Sequence, residues 1–510
     1  MRRSILKCSL LMGLAISLLS PTAIASEGTQ EDPVVVASKT FPESYVLAEL
    51  LSQLLEADGF VVDRKFGLSG TNVCYEGLIN DEIDVYPEYT GTLAQAVLKL
   101  DERLDYEQIN YRIAHLGIEG LEPFGFNNTY AMALRRELSI ELGLTRVSQL
   151  IDHPDLKVAV THEFLEREDG WPHLQRIYGL TAVPQGIEHA LALRAIADGS
   201  IDITDGFSTD AELQEYDIVL LEDDRGAFPL YHALPLIRSD LSPAIHRALD
   251  QLGSKIDKPS MLRLNREVVV DNKTFAEVAN SFLVELGLAS EATNLATGRG
   301  GKLTANVIRH LQLTGIALLS ATLLGLLVSL AVYRVGWLSR GVVYICGLMQ
   351  TIPSIALLAL MIPLLGIGMK PAIAALFLYS LLPIVRNTVT SLSTTDPMLV
   401  RVAEAMGMSQ LERLRYVLVP LAMPSVFAGI RTSAVICIGT ATLAAFIGAG
   451  GLGDPIVTGL ALNDTGLILQ GAIPAALLAV ATELIFEGLE RLVIPGHLKV
   501  FGAKQAEQGT

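Results

Sequence analysis

The sequence predicts an α/β domain followed by an all-α membrane domain of about five helices. Three observations lead to this fold class. The 510-residue chain is 50% hydrophobic and 18% charged, with a mean hydropathy of +0.42, which is too apolar for an ordinary soluble enzyme. Strand-like and helix-like patterns alternate through the first 290 residues, and long apolar runs follow from about residue 310.

The first segment, residues 1–26, has the pattern of a secretory signal peptide. It reads MRRSILKCSLLMGLAISLLSPTAIAS, with basic residues first, then an apolar run, then small residues. We expect cleavage after Ala25. Retention of the segment as a membrane anchor is the alternative interpretation.

Residues 33–290 are predicted to form the α/β domain. DPVVVASKTF is a β-branched strand, and ESYVLAELLSQLLEADG follows it with helical apolar spacing. Strand signals recur in VVDRKFGL, EIDVYPEY, LKVAV, IDITDG and YDIVLLED, with helical patterns between them. This alternation predicts parallel sheets, which bind ligands at the carboxyl ends of their strands. SKTF, YPEYTGT and TDGF lie at such ends.

Charge and cysteine content narrow the function of this domain. The first 302 residues carry a formal net charge of −20 and the remainder carries +3. So acidic a segment is a poor nucleic-acid binder but is compatible with a small cation or zwitterion. Cys74 is the single cysteine between residues 27 and 302, so no disulfide can form within the domain. No CxxC motif or histidine cluster suggests a metal site, and we expect no cofactor.

A linker over residues 291–305 is predicted to join this domain to a membrane domain over residues 306–500. Apolar runs predict spans at roughly 310–333, 341–363, 371–391, 426–448 and 467–487, each near the ~20 residues that a bilayer requires. Pro371, Pro383 and Arg386 interrupt the third run, and a membrane helix tolerates such breaks where protein neighbours satisfy its backbone. Residues 501–510 are predicted to be a cytoplasmic tail.

The distribution of basic residues predicts which loops face the cytoplasm. Arginine and lysine concentrate in the first and third loops and after the last span, whereas the fourth loop contains neither. Five crossings then place residues 27–302 outside the cytoplasm, in agreement with the signal peptide. We therefore expect a multi-pass protein of a bacterial inner membrane.

The third loop, DPMLVRVAEAMGMSQLERLRYVLVPLAMP, is rich in helix-forming residues. We expect Gly407 to break the helix, and Pro420 and Pro424 to close the loop before the next span. It could be an ordinary amphipathic connector or a short helix that inserts into a groove on a partner. The spacing from Gly407 to Pro420 resembles the coupling loop of bacterial ABC importer permeases, over roughly residues 310–500. MQTIPSIALLALMIPLLGIG also resembles the betaine/choline branch of that family.

This resemblance implies that the loop docks on a cytoplasmic ATPase. At or beside the positions that match the coupling-loop motif of the family, this chain has Arg401, Ala403, Glu404, Gly407 and Pro420. The family opens the motif with Glu-Ala-Ala, whereas Arg401, Val402 and Ala403 stand here and the nearest acidic residue is Glu404. GRGGKLT at 298–304 lacks the spacing of a phosphate-binding loop, so ATP is expected on another polypeptide.

Four aromatic residues of the α/β domain fall in loop-like stretches that the predicted topology could bring to one cleft: Tyr89, Tyr130, Phe207 and Tyr231. A single tyrosine at a strand end is explained by packing. A convergent set would attract a quaternary ammonium group by cation–π interaction, worth about 0.5–2 kcal/mol per ring when desolvated.

SKTFPESYVLAELLSQLLEADG, YPEYTGT, GFNNTYAMAL, TDGFSTDAEL and LEDDRGAFPLYHALPLIR resemble the binding proteins for glycine betaine, choline and carnitine. The resemblance covers roughly residues 33–290. It implies a two-lobed clamp of the type II periplasmic-binding-protein class, and it implies that the four aromatic residues form the cage. Phe207 keeps a ring but lacks the hydroxyl that the family often has there.

The resemblance also implies that a ligand carboxylate would contact Lys39, Thr92 and Arg167. Two of these have other interpretations from the residues alone: Lys39 as a solvated charge at a strand end, and Thr92 as a helix cap. Glu88 is expected to be a structural partner rather than a ligand contact.

The predicted function is therefore a substrate-binding and permease subunit in one chain, which imports osmolytes of the glycine betaine, choline or carnitine type. Its expected partners are the ligand, a cytoplasmic ABC ATPase, a second copy of the permease domain and membrane lipid. The alternatives are an importer of another betaine such as ergothioneine, a membrane-anchored sensor, and a membrane enzyme. Scattered histidines (His162, His173, His189 and His232) and the pair Asp205 and Asp210 do not form a nucleophile motif, which disfavours the enzyme.

Overall fold

The computed structural model describes residues 32–100, 104–167, 170–290, 299–462 and 464–494. The predicted signal peptide, the first part of the predicted linker (residues 291–298) and the predicted tail lie outside the described residues.

The strands all belong to the α/β domain. In chain order they are β1 Val34–Lys39, β2 Val62–Leu68, β3 Val85–Tyr89, β4 Ile118–Gly120, β5 Tyr130–Arg135, β6 Ala159–Thr161, β7 Gln185–Ile187, β8 Thr204–Phe207, β9 Ile218–Leu220 and β10 Ala233–Arg238. The sequence patterns anticipated β1, β2, β3, β6, β8 and β9.

The helices of the α/β domain alternate with these strands. They are α1 Pro42–Ala57, α2 Thr71–Ile79, α3 Thr90–Thr92, α4 Tyr106–Ile113, α5 Arg136–Leu142, α6 His162–Glu166, α7 Trp171–Tyr178, α8 His189–Ala197, α9 Glu212–Glu215, α10 Pro243–Asp250, α11 Lys258–Val269 and α12 Phe275–Glu285.

The domain has two lobes. The first lobe contains a five-stranded sheet in the order β2-β1-β3-β10-β4, and the second contains β8-β5-β9 together with the pair β6-β7. A parallel bridge between Val158 and Ile203 continues the second sheet. The chain enters the second lobe after β4 and returns through β10, and the two crossing segments meet at a bridge between Asn127 and His232. The expected two-lobed α/β fold is confirmed.

The expectation of purely parallel sheets is wrong in part. β1 is parallel to β2 and β3, and β6 is parallel to β7, as expected. However, β10 runs antiparallel to both β3 and β4, and β5 runs antiparallel to β8 and β9. The reason is the connection: β10 carries the chain back from the second lobe, so it enters the first sheet from the opposite end.

Helix α1 is the central element of the first lobe. Pro42 occupies its first position, where a missing N–H costs nothing, and Glu43 lies in the first turn, where a carboxylate is favoured by the helix dipole. Its leucines are buried on several sides because the helix packs against the sheet and against α10, α11 and α12. Such all-round burial explains why its sequence is apolar beyond a single stripe.

The C-terminal part of the chain is helical. Its helices are α13 Arg299–Val332, α14 Gly336–Thr351, α15 Ser354–Leu365, α16 Met369–Ser393, α17 Pro397–Ala405, α18 Gln410–Arg413, α19 Val419–Ala441, α20 Gly453–Ala461 and α21 Thr465–Val493. Helix α13 begins at Arg299, inside the segment predicted as a linker. A π-helical turn, Leu414–Leu418, joins α18 to α19.

Among the described residues, four segments are long and apolar enough to cross a membrane: Leu303–Val332, Met369–Ser393, Gln410–Ile447 and Thr465–Val493. The pair α14 and α15 passes the same test of length and composition together and is bent by 99° at a short break, which gives five candidate crossings when the pair is counted as one span. The prediction of about five membrane helices is confirmed.

The prediction of one continuous span over 341–363 is wrong. The chain is extended at Ile352, the residue before Pro353, and the helix restarts at Ser354. A residue that precedes proline is disfavoured in the helical conformation, which explains the break.

The third predicted span, by contrast, is continuous despite its prolines. Pro371 lies in the first turn of α16, and Pro383 lies in its interior. Proline has no N–H to donate to the carbonyl four residues earlier, here that of Tyr379. The side chain of Gln350 on α14 donates to this carbonyl at 2.7 Å. A neighbouring helix thus satisfies the backbone group that the proline leaves free.

The membrane domain has two distinct ends. At one end, Arg309 Nε donates to the carbonyl of Ala449 at 2.9 Å, and Gly368 N donates to Ile447 at 2.6 Å. At the other end, Arg334 donates to Gln410. The α/β domain contacts the first end, and the arginine-rich loops lie at the second.

The contact between the α/β domain and the membrane domain has a hydrophobic core of its own. Leu68 and Leu78 of the first lobe share one buried cluster with Ile367 and Ile447 of the membrane domain. At its edge, Ser69 N donates to the carbonyl of Phe446 at 2.9 Å. Helix α20 contacts β2 in the first lobe and α8 in the second.

Substituting Gly67 by alanine is expected to destabilise the protein by at least about 2 kcal/mol. Gly67 has a φ of +77°, and a Cβ there would overlap the Tyr45 hydroxyl. Gly59→Ala is the matched control, because Gly59 has a φ of +91° with open space around it. Gly59→Ala measures the cost of backbone strain alone. The additional loss of thermal stability in Gly67→Ala measures the cost of the overlap with Tyr45. Equal destabilisation of the two variants would contradict the close packing at Gly67.

Candidate functional site

The four predicted aromatic residues converge between the two lobes. Tyr130 and Phe207 are cross-strand partners at the ends of β5 and β8, and their ring centroids are 5.0 Å apart. Tyr231, two residues before β10, meets Tyr130 edge-on at 5.5 Å. Tyr89, the last residue of β3, joins the set through Phe41.

Phe41 is a ring that the sequence analysis did not select. Its centroid lies 6.2 Å from that of Tyr89 and 5.6 Å from that of Phe207, so it bridges the two lobes. Phe41 is the last residue of the SKTF stretch and directly precedes Pro42. The sequence could have indicated this residue, because SKTF was predicted to lie at the carboxyl end of a strand, where ligands bind. Phe164 and Phe228 also pack on Tyr130, at 5.0 and 6.3 Å. We call these seven rings the aromatic cluster: Phe41, Tyr89, Tyr130, Phe164, Phe207, Phe228 and Tyr231.

Local backbone geometry fixes the orientation of these rings. A Cβ at Gly91 would lie 2.7 Å from the Tyr231 ring, so this position requires glycine. Tyr231 N donates to the Asn127 side chain at 2.7 Å, which ties the two crossing segments together. Tyr89, Tyr130 and Tyr231 are 5%, 6% and 2% exposed, so a cation held among their faces would be largely desolvated.

Lys39 lies beside this cluster. It is 5% exposed, and its Nζ lies 2.5 Å from Glu88 Oε1 and 5.4 Å from the centre of the Tyr89 ring. The interpretation of Lys39 as a solvated charge is therefore wrong, because the strand buries it against a carboxylate. Glu88 is its structural partner, as expected, and it also accepts from Tyr89 N at 2.9 Å.

Arg167 also reaches the aromatic cluster. Its guanidinium carbon lies 5.9 Å from the centre of the Tyr130 ring, and its Nη1 lies 3.0 Å from Glu163 Oε1. Thr92 is buried at the end of α3, next to the turn that packs on Tyr231. The interpretation of Thr92 as a helix cap is wrong, because its side chain makes no capping hydrogen bond to the helical turn that follows.

One of the scattered histidines, His189, lies against Phe207. The His189 ring centroid is 4.7 Å from that of Phe207, and its Nε2 lies 3.3 Å from Asp210 Oδ1. Burial lowers the pKa of His189, but the charge of Asp210 and its hydrogen bond raise it, and the net pKa is about 9. His189 is therefore an imidazolium at neutral pH.

The two aspartates near this histidine have separate structural roles. Asp210 Oδ2 accepts from Phe207 N at 2.6 Å and so holds the ring that His189 contacts. Asp205 accepts from the N and Oγ1 of Thr161 at 2.6 and 2.7 Å. They are anchors of the TDGFSTD loop.

Two family models together match most of the chain. The substrate-binding domain of ABC-type glycine betaine transport systems matches residues 32–285, and the inner-membrane component of binding-protein-dependent transport systems matches residues 321–496. A glycine betaine/carnitine/choline transport system permease of Bacillus subtilis is 42% identical over 200 residues, which are 39% of this chain and 92% of that protein.

The chain belongs to the ABC importer family of these permeases. It carries a substrate-binding domain and a permease domain in one polypeptide, and its role is transport rather than catalysis. With its apolar helices it is a multi-pass protein of the inner membrane.

Two further likenesses of this importer subunit are to another transport protein and to a solved structure. An ergothioneine transport permease/ergothioneine binding protein of Helicobacter pylori is 34% identical over 288 residues, which are 55% of this chain and 51% of that protein. A crystal structure of a glycine betaine/carnitine/choline ABC transporter is 25% identical, with a TM-score of 0.43; the match covers 50% of this chain and 99% of that one.

The third loop of the permease domain contains α17 and α18, at the end opposite the substrate-binding domain. Helix α17 ends at Ala405, and Gly407 follows with a φ of +77°, so the glycine breaks the helix as expected. Arg413 forms an ion pair with Glu404 across the break. Ala403 is buried, whereas the apolar side chains of Met398, Val402, Met406 and Leu411 are exposed.

Pro420 does not close this loop in the expected way. The helical segment runs without a break from Gln410 to Ile447, and Pro420 lies inside it. The π-helical turn Leu414–Leu418 ends two residues before the proline. A wider turn shifts the hydrogen-bond register where the proline has no N–H, so the helix continues.

The His189–Asp210 contact predicts a pH-dependent component of stability. The folded-state pKa of about 9 lies above the ordinary value of 6.5. The stabilisation is therefore complete below about pH 6.5 and is lost as the pH rises towards 9. We expect the melting-temperature difference between the wild type and His189→Asn to shrink from pH 6 to pH 9, measured by thermal unfolding of the full chain. A difference that stays constant over this range would contradict the assignment.

Proposed function

We propose that this chain is the receptor and permease of an ATP-driven importer that takes up a small quaternary-ammonium solute of the glycine betaine, choline or carnitine class. The observation that carries the proposal is the convergence of Tyr89, Tyr130, Phe207 and Tyr231 at the junction of the lobes. Aromatic faces attract a methylated ammonium group, which cannot donate hydrogen bonds, by cation–π interaction.

The charged groups beside the cluster suit a ligand that also carries a carboxylate. Arg167 approaches the Tyr130 ring from one side, and the His189 imidazolium approaches Phe207 from another. Lys39 is paired with the fully buried Glu88, whereas Arg167 is paired with the exposed carboxylate of Glu163, so we assign the main carboxylate contact to Arg167, with Lys39 and Thr92 in supporting positions. A zwitterion such as glycine betaine could then satisfy both parts of the site.

A second candidate ligand is ergothioneine, which is itself a betaine. The observation that favours it is the 34% identity to the ergothioneine protein of Helicobacter pylori, in a region that covers 55% of this chain. The same aromatic cluster would hold its trimethylammonium group. A membrane-anchored sensor is disfavoured, because the C-terminal domain matches transport components over residues 321–496.

We infer that residues 27–302 lie outside the cytoplasm and that an ATPase binds at the opposite end. The separation of the two ends supports this: the substrate-binding domain contacts one, and the arginine-rich loops lie at the other. The loop with Arg401, Ala403, Glu404, Gly407 and Pro420 would contact the ATPase. Two copies of the permease domain, embedded in lipid, would form the pore.

Equilibrium binding to the full chain in lipid nanodiscs tests the ligand class. We expect saturable calorimetric binding of at least one of glycine betaine, choline, carnitine, proline betaine and ergothioneine. We also expect Tyr130→Ala to lose up to about 30-fold in affinity, since one desolvated cation–π contact is worth up to about 2 kcal/mol.

The matched control is Tyr178→Ala, which removes another buried tyrosine of the second lobe, one bonded to Asp223 and outside the aromatic cluster. Its affinity should stay close to that of the wild type. Binding of an unrelated class of solute, with no response to any quaternary amine, would reject the proposal.

Replacing Leu411 by aspartate is expected to weaken ATPase association at least about tenfold, because it puts a charge into an apolar docking contact. Leu411 is 73% exposed, so the substitution costs little folding stability. Co-purification with an ABC ATPase expressed together with this chain is the measurement, and ligand binding should stay unchanged. Ile140→Asp, at a 74% exposed position of the second lobe, is the control. Equal co-purification of Leu411→Asp and the wild type would place the docking contact elsewhere.

A further inference from the structure

The carboxylate of Glu43 accepts hydrogen bonds from four separate segments of the substrate-binding domain, although a carboxylate in the first turn of a helix needs none of them to favour that helix. Glu43 lies in the first turn of α1 and is 3% exposed. It accepts four hydrogen bonds, from Tyr89 Oη at 2.6 Å, Asn128 Nδ2 at 2.8 Å, Thr209 Oγ1 at 2.5 Å and Asn265 Nδ2 at 3.1 Å.

These donors come from different parts of the domain. Tyr89 is a ring of the aromatic cluster in the first lobe, and Asn128 belongs to a segment that crosses between the lobes. Thr209 follows β8 of the second lobe, two residues after Phe207. Asn265, on α11, also donates to the carbonyl of Thr209 at 2.9 Å. One carboxylate therefore contacts both lobes and the connection between them.

The chemistry of this contact makes it sensitive to the closure of the lobes. The four partners are hydroxyls and amides, so the carboxylate is satisfied by donated hydrogen bonds. A buried carboxylate is costly unless its donors are in place, and each donor to a charged group is worth more than an ordinary one. Movement of the second lobe away from the first would take Thr209 from the set and leave Glu43 underbonded.

The contact also acts on the Tyr89 ring. Donation of its hydroxyl to Glu43 fixes the rotation of the side chain at its far end, while Phe41 packs beside the ring. A phenol that donates to a carboxylate gains electron density, which strengthens the attraction of its face for a cation. Both effects favour a quaternary ammonium group next to Tyr89.

We propose that Glu43 is a positioning residue that locks Tyr89 in its ligand-binding orientation and, through Thr209, holds the two lobes together in the closed domain. Release of a bound solute then requires the bond between Glu43 and Thr209 to break. The inference rests on the proposed function for its ligand, but the lobe contact can be tested without any ligand.

The first experiment measures glycine betaine binding to the full chain in nanodiscs by surface plasmon resonance. Glu43→Gln is expected to lower the affinity at least about tenfold, mainly through faster dissociation, as the loss of a hydrogen bond to a charged group implies. Glu49→Gln is the matched control: Glu49 lies on the same helix, is 6% exposed and binds Arg64. Its dissociation rate should match the wild type. A wild-type dissociation rate in Glu43→Gln would overturn the proposal.

A double-substitution cycle tests whether Glu43 acts through Tyr89. Tyr89→Phe keeps the ring and removes the donor. Glu43→Ala combined with Tyr89→Phe should bind no more weakly than Glu43→Ala alone, because each substitution removes the hydrogen bond between these two residues. Independent effects that multiply would overturn this part of the proposal. If Glu43→Gln does not fold, the dissociation rate of glycine betaine from Thr209→Val is measured instead. Faster dissociation would support the contact between the lobes, and a wild-type rate would overturn it.

The second experiment needs no ligand. Spin labels at Tyr111→Cys in the first lobe and Ile140→Cys in the second, in a Cys346→Ser background, report the distance between the lobes. Both native positions are exposed. Glu43→Gln and Thr209→Val should shift the ligand-free distances towards longer values, whereas Glu49→Gln should not. Unchanged distances would overturn the lobe contact. Failure of the wild type to bind any quaternary amine would instead reject the proposed ligand.

Discussion

The return of the chain through β10 is the constraint on which the rest of the binding domain depends. Because β10 pairs antiparallel with β3, Ala233 lies opposite Tyr89, and the residues just before β10 must meet the end of β3. This register brings Tyr231 against Gly91 and ties the crossing segments through Asn127. The rings of the second lobe meet them because β5 begins directly after the first crossing segment. The aromatic cluster is thus a product of sheet topology, and no single stretch of sequence contains it.

Much of this arrangement could be predicted from the sequence, because its parts are marked by local patterns. The strand patterns located six of the ten described strands, and the stretches interpreted as loops contained Tyr89, Tyr130, Phe207 and Tyr231. The structure places the first three of these at the end residue of a strand and Tyr231 two residues before β10. The remaining parts depend on contacts between distant residues. Glu43 looks like an ordinary acidic residue in the first turn of a helix, and only the fold brings Asn128, Thr209 and Asn265 to it. His189 likewise gains its charge from Asp210, which local pattern could not indicate.

In the membrane domain, too, local sequence determines some features and contacts between distant residues determine others. Composition located the spans, but it could not say which proline breaks a helix. Pro383 is tolerated because Gln350 from another helix reaches the free carbonyl, and Pro420 is tolerated because a wider turn precedes it. Pro353 leaves the chain extended and bends the crossing by 99°. Counting prolines therefore misjudges the breaks, since the outcome depends on the donors that neighbouring helices supply.

Leu68 and Ile447 share one hydrophobic core although they belong to the receptor and the permease. A receptor made as a separate protein can be produced in large excess over its channel and can exchange among many channels. Here every permease domain carries its own receptor, so the number of capture sites cannot be raised without also making more permease. A cell with this transporter would gain fast transfer of solute from receptor to permease. It could not hold captured solute on additional receptors.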